Sequence, residues 1–352
     1  MSCNFCDSIK SKNYYSKNCL FYEENNKMQQ VTVQTNANVA LIKYWGKRNE
    51  QLFLPTKTSL SVALSGLTTT TTIRNTLEKH DLISFISGIS ESSHKKIIDF
   101  IDFFRARYSI KQFFAVTTHN NFPTAAGLAS SASGFAALAL ALNAQCKLNL
   151  SEQELSVLAR YGSGSACRSI YGGFVVWHKG EKQDGSDSYA EQLFDHNHWP
   201  ELRILVIVVK NDEKKISSRN GMRITTNTSP SYKNWLSHSE QRVILIIKAI
   251  EKKDFELVGT LAQADWTGMQ QTMLDAQPQL DYWTTVSHDV MHAVKQLRAT
   301  GVSCYFTTDA GPNVKLICLD KDIPIITRTI KTIRGVLDTI ECTIGQAPII
   351  NT

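Results

Sequence analysis

The chain has 352 residues, of which 42% are hydrophobic and 20% charged, and its formal net charge is +6. This length exceeds what one hydrophobic core usually serves, so we expect two domains, and the composition is that of a soluble globular protein. The mild positive charge suits an anionic small substrate. Because no run of Lys and Arg with interleaved aromatic residues is present, we expect no nucleic-acid partner.

The sequence shows no membrane or targeting signal. No segment reaches the apolar length that crosses a bilayer, the first residues lack the apolar core of a secretory signal, and the last four carry no lipidation motif. Several of the eight cysteines lie in apolar runs, which is typical of small buried side chains. Cys3 and Cys6 have no second pair at a usable distance, so we expect no metal there. We expect the cytoplasm, without membrane association.

The first half of the chain alternates strand and helix patterns. Residues 1–27 are polar and aperiodic, which predicts a poorly ordered extension. Strands are predicted over 31–43, 59–65, 67–74, 82–88, 113–118 and 173–177, and helices over 95–108, 130–147 and 151–161. The last of these helices opens with a capping box, Ser151 and Glu154.

The second half begins after Trp199 and Pro200 with a continuous apolar strand over 202–209, which we expect to be buried on both faces. Helices are predicted over 231–253, 254–275, 284–300 and 324–335, and strands over 302–307, 314–319 and 337–344. Strands that alternate with helix pairs predict an α+β domain. We place the domains at 28–205 and 206–352.

The most informative stretch is a run of small residues, 123–133, between a strand and an apolar helix. Small residues let the backbone approach a ligand closely, and the first N–H groups of a helix attract anions, most often phosphate. No Gly-Lys-Ser/Thr closes the loop, so it is not a Walker A loop. The alternative is an Ala-rich packing face, but the proline, the glycine and the paired serines favour phosphate binding. Serine hydroxyls cap helices, contact phosphates or reach Mg²⁺.

Three further segments carry candidate functional side chains. Lys43 and Lys47 flank a Tyr-Trp-Gly corner, where they either bind an anion or are solvated beside a packed Trp. Arg168, in a Gly/Ser loop over 162–169, is either a bidentate partner for a carboxylate or phosphate or a surface side chain in a turn. Asp309 ends a strand before Ala-Gly-Pro, which is either turn chemistry or a catalytic carboxylate at a rigid corner. The two anion loops and the lysine pair favour the carboxylate.

These segments, in this order, resemble the mevalonate diphosphate decarboxylases of the GHMP kinase superfamily, and the resemblance runs from about Val31 to the C-terminus. It implies an α+β, two-domain GHMP-kinase fold, with an N-terminal α/β domain like domain 2 of ribosomal protein S5 and a C-terminal ferredoxin-like α/β sandwich. It also implies ATP-dependent decarboxylation of (R)-5-diphosphomevalonate to isopentenyl diphosphate, ADP, phosphate and CO₂, through phosphorylation of the C3 hydroxyl. ATP and Mg²⁺ are then required, and the family suggests a homodimer.

The resemblance assigns roles residue by residue. Asp309 matches the catalytic carboxylate, Arg168 the arginine that holds the substrate carboxylate, and Lys43 the lysine beside the reacting centre. The implied substrate contacts are Tyr44, Trp45, Gly46, Lys47, Ser163, Gly164, Ser165, Ala166, Cys167, Arg168, Ser218, Arg219 and Met222. The implied ATP contacts are Asn121, Pro123, Ala125, Ala126, Gly127, Leu128, Ala129, Ser130, Ser131 and Ser133, with Ser130 and Ser131 near Mg²⁺ and the γ-phosphate.

One position departs from the family pattern. Members usually carry a strand arginine that reaches the substrate phosphates, and the matching stretch here, 82–88, has none. Two alternatives stay open: a related decarboxylase or kinase acting on mevalonate or its 5-phosphate, and a non-catalytic nucleotide-binding module. Joint retention of Lys43, Arg168 and Asp309 favours decarboxylation over simple phosphorylation, and Asp309 together with the serine pair speaks against a non-catalytic module.

Overall fold

The structure is a computed structural model that describes residues 29–86, 91–122, 130–209 and 216–352. Within these ranges the chain forms two β-sheets, each covered by helices. The expected extension 1–27 and residues 123–129 of the small-residue loop lie outside the described residues. Two helix-covered sheets agree with the α+β, two-domain architecture that the sequence predicts.

The first sheet has seven strands, arranged β13-β1-β4-β6-β5 with β7 and β8 attached beside β4. Its strands are β1 (Gln30–Ile42), β4 (Ser59–Thr76), β5 (Leu82–Phe85), β6 (Phe113–Asn120), β7 (Phe174–Trp177), β8 (Ala190–Phe194) and β13 (Ile349–Asn351). All its pairings are antiparallel except that of β5 with β6. A separate hairpin joins β2 (Lys47–Asn49) to β3 (Leu54–Pro55). The last strand therefore returns to the first sheet from within the range predicted for the second domain.

The strands predicted at 59–65 and 67–74 form the single strand β4. Its pairing with β1 shifts register opposite 36–37, and Gly66 adopts a φ of 78° there, as in a β-bulge. The side chain of Asn121 spans this irregularity: its Nδ2 donates to Gly66 O at 2.9 Å, and its Oδ1 accepts from Thr68 N at 2.8 Å. The glycine therefore bends the strand without ending it.

Helices cover one face of the first sheet. They are α1 (Glu91–Tyr108), α2 (Ser130–Gln145) and α3 (Glu152–Gly162), followed by a 3₁₀ helix (Gly164–Ile170). The capping box at Ser151 and Glu154 is confirmed. The loop predicted over 162–169 is instead mostly the 3₁₀ helix, which buries Arg168. Here sequence preference for a turn gave way to packing against α2 and α3.

The second sheet has four antiparallel strands in the order β10-β11-β9-β12. They are β9 (Leu202–Val209), β10 (Cys304–Thr308), β11 (Val314–Leu319) and β12 (Val336–Cys342). The prediction that β9 is buried on both faces is confirmed. The helices are α4 (Ser218–Thr228), α5 (Tyr232–Ser237), α6 (Ser239–Glu251), α7 (Phe255–Leu274), α8 (Thr285–Ala299) and α9 (Ile323–Lys331). One predicted helix, 231–253, is thus two, and α4 was not predicted.

The two halves share a continuous apolar core. One buried cluster contains Leu41 and Val62 from the first sheet together with Ile204 from the second and Val258 from α7. Because interiors pack densely and resist deformation, residues that follow β1 are held in fixed positions against the second half. Among the described residues, no helix is long and apolar enough to cross a membrane.

Candidate active site

A carboxylate from the second half lies between two lysines. Asp309 follows β10, and its Oδ1 accepts a 3.1 Å hydrogen bond from Lys43 Nζ at the end of β1. Its Oδ2 lies 3.1 Å from Nζ of Lys315 on β11. Both lysine side chains are only 2% exposed, whereas that of Asp309 is 29% exposed. The carboxylate is therefore accessible to a ligand while its counter-ions are not.

The charges of this group are strongly coupled. Burial alone would raise the pKa of Asp309, but the positive charges of Lys315 and Lys43 outweigh it and hold that pKa well below the usual range. Burial lowers the pKa of Lys43, and the attraction to Asp309 opposes this effect. Asp309 is therefore ionised at neutral pH, and it can accept a hydrogen bond from a ligand hydroxyl.

Arg168 is a buried guanidinium whose partners are neutral. Its Nε donates to Ser61 Oγ at 2.9 Å, its Nη1 to Ser59 Oγ at 2.8 Å, and its Nη2 to Asn38 Oδ1 at 3.2 Å. Among the described residues no carboxylate forms an ion pair with it. Burial lowers the pKa of Arg168, and the field of Asp309 is among the effects that oppose this. The guanidinium thus lies within the field of Asp309 and has charge available for an anionic ligand.

Tyr44 belongs to the turn formed by residues 43–47, which we call the lysine corner, and its side chain approaches the 3₁₀ helix. Its ring packs on Trp177 with centroids 4.7 Å apart, and its buried hydroxyl has no hydrogen-bond partner among the described residues. A Cβ at Gly164 would lie 2.7 Å from that hydroxyl, so this close approach requires glycine. Burial raises the pKa of Tyr44, whereas the charges of Arg168 and Arg219 act to lower it. The neutral hydroxyl is thus in the field of both arginines.

The second half also fixes the lysine corner. The backbone carbonyl of Trp45 accepts from the Tyr232 hydroxyl at 2.9 Å, and its indole N–H donates to Thr225 Oγ1 at 3.1 Å. Gly46 adopts a φ of 118°, and a Cβ there would lie 1.8 Å from the Tyr232 hydroxyl. Only glycine fits this turn.

Two cations from opposite halves meet at one aromatic ring. Lys47 Nζ lies 4.8 Å from the centroid of Phe53, and Arg219 Cζ lies 4.9 Å from the same centroid. Lys47 also pairs with Glu50 at 2.5 Å. Phe53 has a φ of 53°, which is unusual for a residue with a side chain. We call Lys47 and Arg219 the Phe53 cation pair.

A cavity of about 140 Å³ opens beside the start of α2. Ser130 and Ser131, in the first turn of α2, line it together with Asn120. Phe85 and Phe135 are among its apolar walls. Ser131 Oγ lies 3.2 Å from Oγ of Ser163, which precedes the 3₁₀ helix. This contact joins the helix predicted to bind nucleotide to the loop predicted to bind substrate.

Family models match both halves. The diphosphomevalonate decarboxylase-like N-terminal domain matches residues 35–190, and the mevalonate 5-diphosphate decarboxylase C-terminal domain matches residues 204–351. The chain is 39% identical to a diphosphomevalonate decarboxylase of Aspergillus fumigatus over 86% of its length and 80% of the relative. It is 37% identical to the diphosphomevalonate decarboxylase of Homo sapiens over 83% of its length and 78% of the relative.

The chain belongs to the diphosphomevalonate decarboxylase family.

Solved structures of family members share its fold. The mevalonate diphosphate decarboxylase of Staphylococcus aureus has a TM-score of 0.88 and 36% identity, covering 93% of this chain and 99% of that one. That of Enterococcus faecalis, described with mevalonate diphosphate mediated ATP binding, has a TM-score of 0.85 and 39% identity, with coverages of 92% and 99%. MDDEF, in complex with MVAPP, AMPPCP and magnesium, has a TM-score of 0.86 and 39% identity, with the same coverages.

Four of the site residues expected from the family have side chains that the structure places in other contacts. Ser133 is fully buried, and its hydroxyl lies 2.6 Å from Thr69 Oγ1, so it faces the sheet and not the cavity. The amide of Asn121 is taken up by the bulge in β4. Ala166 and Cys167 lie in the core, and burial raises the pKa of the Cys167 thiol to about 12. In the described structure these four side chains make contacts within the protein.

The remaining expected residues are distributed along the site. Ser165 is half-buried in the 3₁₀ helix, Ser218 is half-buried at the start of α4, and Met222 is buried one turn later. The expected ATP contacts Pro123, Ala125, Ala126, Gly127, Leu128 and Ala129 lie outside the described residues.

Sequence reasoning missed five polar residues of this region: Asn38, Ser59, Ser61, Asp265 and Lys315. Two signals were available. Ser59 and Ser61 alternate on a predicted strand and so share a face. Lys315 lies opposite Thr307 in the β10–β11 hairpin, beside the strand end that carries Asp309. Nothing in the sequence pairs Asp265 with Lys43 and Lys57, because these two partners are more than two hundred residues away.

Proposed function

We propose that this chain catalyses the ATP-dependent decarboxylation of (R)-5-diphosphomevalonate to isopentenyl diphosphate, ADP, phosphate and CO₂. Family membership supports the activity. The observation that carries it is the meeting of Asp309, from one half, with Lys43, from the other, at 3.1 Å, in the same field as Arg168. A carboxylate can orient the hydroxyl that accepts the phosphoryl group, and a guanidinium can hold the carboxylate that is released.

Asp309 has two roles in this reaction. A tertiary alcohol is a weak nucleophile, and an ionised carboxylate within hydrogen-bond reach orients its hydroxyl toward the γ-phosphoryl group of ATP. The oxygen bonds to the phosphorus as ADP leaves, and the hydroxyl proton passes by way of the carboxylate to solvent. Once phosphorylated, the hydroxyl oxygen leaves with the phosphate, and positive charge develops on the tertiary carbon. The negative charge of Asp309 stabilises that carbon. The C–COO⁻ bond then breaks, its electron pair forms the double bond, and CO₂ departs.

Arg168 orients the carboxylate that is lost. Its planar guanidinium is held at three nitrogens by Ser59, Ser61 and Asn38, and such a rigid fork matches carboxylate geometry. Orientation of the breaking bond supplies a large part of a catalytic effect. Lys43 neutralises part of the charge that the transferred phosphoryl group brings to Asp309.

The residues around α2 fit a nucleotide with Mg²⁺. The first turn of a sixteen-residue helix offers N–H groups to phosphate, and the apolar walls of the adjacent cavity, Phe85 and Phe135, suit a base. Among the described residues no group of three His, Cys, Asp or Glu side chains could hold a metal, so Ser130 and Ser131 are the candidate protein contacts. Mg²⁺ commonly relies on substrate phosphates for its other ligands, and it neutralises the phosphoryl charge in transfer.

The Phe53 cation pair supports a diphosphate substrate. Lys47 and Arg219 bring two positively charged side chains to one ring, and Lys47 is also paired with Glu50. Both positions are retained although the strand arginine is missing from 82–88. We assign this pair to the diphosphate of the substrate. We also propose a homodimer in the cytoplasm, as the resemblance implies. The five described cysteines are free, which is typical of reducing compartments.

One assay tests the activity. The purified full chain is incubated with Mg-ATP and, separately, mevalonate, its 5-phosphate and its 5-diphosphate, while ADP and CO₂ are followed. We expect both products only with the diphosphate. ADP without CO₂ would indicate a kinase. Both products with the 5-phosphate would show that the enzyme acts on the monophosphate. Neither product with any substrate would indicate a non-catalytic nucleotide-binding module. Sedimentation of the same sample tests the dimer.

A further inference from the structure

Asp265 is a fully buried carboxylate on α7 that has no role in the reaction described above. Its Oδ2 accepts a 2.7 Å hydrogen bond from the backbone N–H of Lys43. Its Oδ1 accepts a 2.8 Å bond from the Lys57 ammonium and lies 3.6 Å from a guanidinium nitrogen of Arg242. Buried charges are strongly unfavourable unless paired. The carboxylate is therefore tied to the lysine corner of the opposite half.

The helix that carries Asp265 fixes both members of the central ion pair. Asp265 holds the backbone of Lys43, while the ammonium of Lys43 reaches Asp309. The next residue on α7, Trp266, donates its indole N–H to Thr308 Oγ1 at 2.6 Å, directly before Asp309 in the chain. One helix thus helps to set the distance between the ammonium of Lys43 in the first half and the carboxylate of Asp309 in the second.

Lys57 extends the same network toward Arg168. It lies two residues before Ser59, which accepts a hydrogen bond from Arg168. Its ammonium lies 4.0 Å from the ring centroid of Trp235, and the indole N–H of Trp235 donates to the backbone carbonyl of Asp265 at 3.0 Å. Burial lowers the pKa of Lys57, and attraction to Asp265 opposes this. The carboxylate therefore organises the start of β4 as well as the end of β1.

We propose that Asp265 is a positioning residue for the reacting centre: by binding the backbone of Lys43, it fixes the position of Lys43 relative to Asp309. The proposal rests on the proposed function, because its consequence is the rate of that reaction. The competing explanation is that Asp265 only stabilises the fold by neutralising Lys57. The two explanations differ in whether the hydrogen bond to Lys43 matters once the ion pair has been removed.

The test compares two double variants that lack both charges. In D265N/K57M, the amide oxygen can still accept the hydrogen bond from Lys43 N–H, whereas in D265L/K57M nothing accepts it. Methionine preserves an apolar stem against Trp235 in both. For the full chain of each variant, kcat, KM for ATP and diphosphomevalonate, Tm and amide hydrogen exchange at Lys43 are measured. E256Q, on the same helix, removes the negative charge of a carboxylate that accepts from the Tyr305 hydroxyl and serves as the control.

We expect D265N/K57M and E256Q to keep kcat within about 3-fold of the wild type. We expect D265L/K57M to lose about 30-fold in kcat, with both KM values within about 2-fold, because misorientation slows the chemical step without removing a ligand contact. Exchange of the Lys43 amide is expected to accelerate in D265L/K57M alone. A purely structural role would move Tm but would not separate the two double variants.

Equal kcat values in the two double variants, or a loss that follows Tm in both, would overturn the proposal. If D265L/K57M does not fold, D265S/K57M replaces it, since serine removes the reach to Lys43 without adding volume. A wild type that releases neither ADP nor CO₂ would count against the proposed function alone. Amide exchange at Lys43 would then test whether Asp265 holds the backbone of Lys43. Equal exchange in both double variants would overturn the proposal.

Discussion

The reacting centre (Lys43, Arg168, Asp309 and Lys315) and the Phe53 cation pair hold their charges in different ways. At the reacting centre the three cations are buried and fixed by hydrogen bonds or ion pairs of 2.8–3.2 Å. At the Phe53 cation pair, Arg219 is exposed, Lys47 has a buried side chain that is paired with the exposed Glu50, and both cations lie almost 5 Å from the centroid of the ring.

The difference has an energetic meaning. Charges shielded from water interact several-fold more strongly than exposed ones, and exposed pairs contribute little and are screened by salt. We infer that the reacting centre controls the chemical step and that the Phe53 cation pair controls affinity for the phosphates. Substitutions at the first should lower kcat, and substitutions at the second should raise KM.

The largest effect is expected at Asp309. In D309N the shape of the side chain is kept but its charge is lost, so kcat should fall by about 10³-fold or more while affinity for ADP stays nearly unchanged. Steady-state assays and calorimetric titration with ADP measure the two quantities. D338N, at an exposed position of β12, is the control. Equal losses of turnover and ADP affinity would mean that Asp309 is structural.

The next effect is expected at Arg168. A lysine cannot donate to Ser59, Ser61 and Asn38 while also presenting a fork to a carboxylate, so R168K should lower kcat/KM for diphosphomevalonate by about 10²-fold. S61A removes one of the three partners and should cost only about 3- to 10-fold. Comparable rates for R168K and the wild type would show that a single positive charge is sufficient.

A smaller effect with a distinct pH signature is expected at Lys315. Lys315 and Lys43 hold the pKa of Asp309 below its usual range, so the wild type should show no acid limb in kcat from Asp309 at the pH values where carboxylates ordinarily titrate. K315M removes one cation, and the pKa of Asp309 should rise. The pH profile of kcat should then fall on the acid side at a higher pH than that of the wild type, and the plateau value of kcat should be about 10-fold lower.

K315R keeps the positive charge and is the matched control, so its acid limb should stay near that of the wild type. A K315M profile that falls in amplitude without any shift in its acid limb would contradict the coupling between Lys315 and Asp309.

The smallest effect is expected at Phe53. F53L removes the ring beside both cations, and an exposed cation–π contact such as that of Arg219 contributes about 0.5–1 kcal/mol. KM for diphosphomevalonate should rise about 5-fold with kcat unchanged, and affinity for the 5-phosphate should change less. L77A, at a fully exposed side chain, is the control. A fall in kcat without a change in KM would break the distinction between the two regions.

Much of the fold was predictable because its signals are local. Periodicity located most strands and helices, including β9 and the capping box of α3. The failures occurred where packing overrode local preference. The glycine at 66 forms a bulge within β4, where Asn121 bonds to Gly66 O and to Thr68 N. The Gly/Ser loop becomes a 3₁₀ helix against α2 and α3.

The sequence by itself determined which residues are candidates for the chemistry. Residue types and spacing drew attention to Asp309, Arg168 and Lys43, and the resemblance to the family implied their roles; both signals lie in short stretches of the chain. Only the tertiary structure decided their partners: Lys315 and Lys43 around Asp309, the serines and Asn38 around Arg168, and Asp265 behind Lys43. Several of these contacts join residues more than one hundred positions apart, and burial sets their strength. Both depend on how the two sheets pack, which no short stretch of sequence encodes.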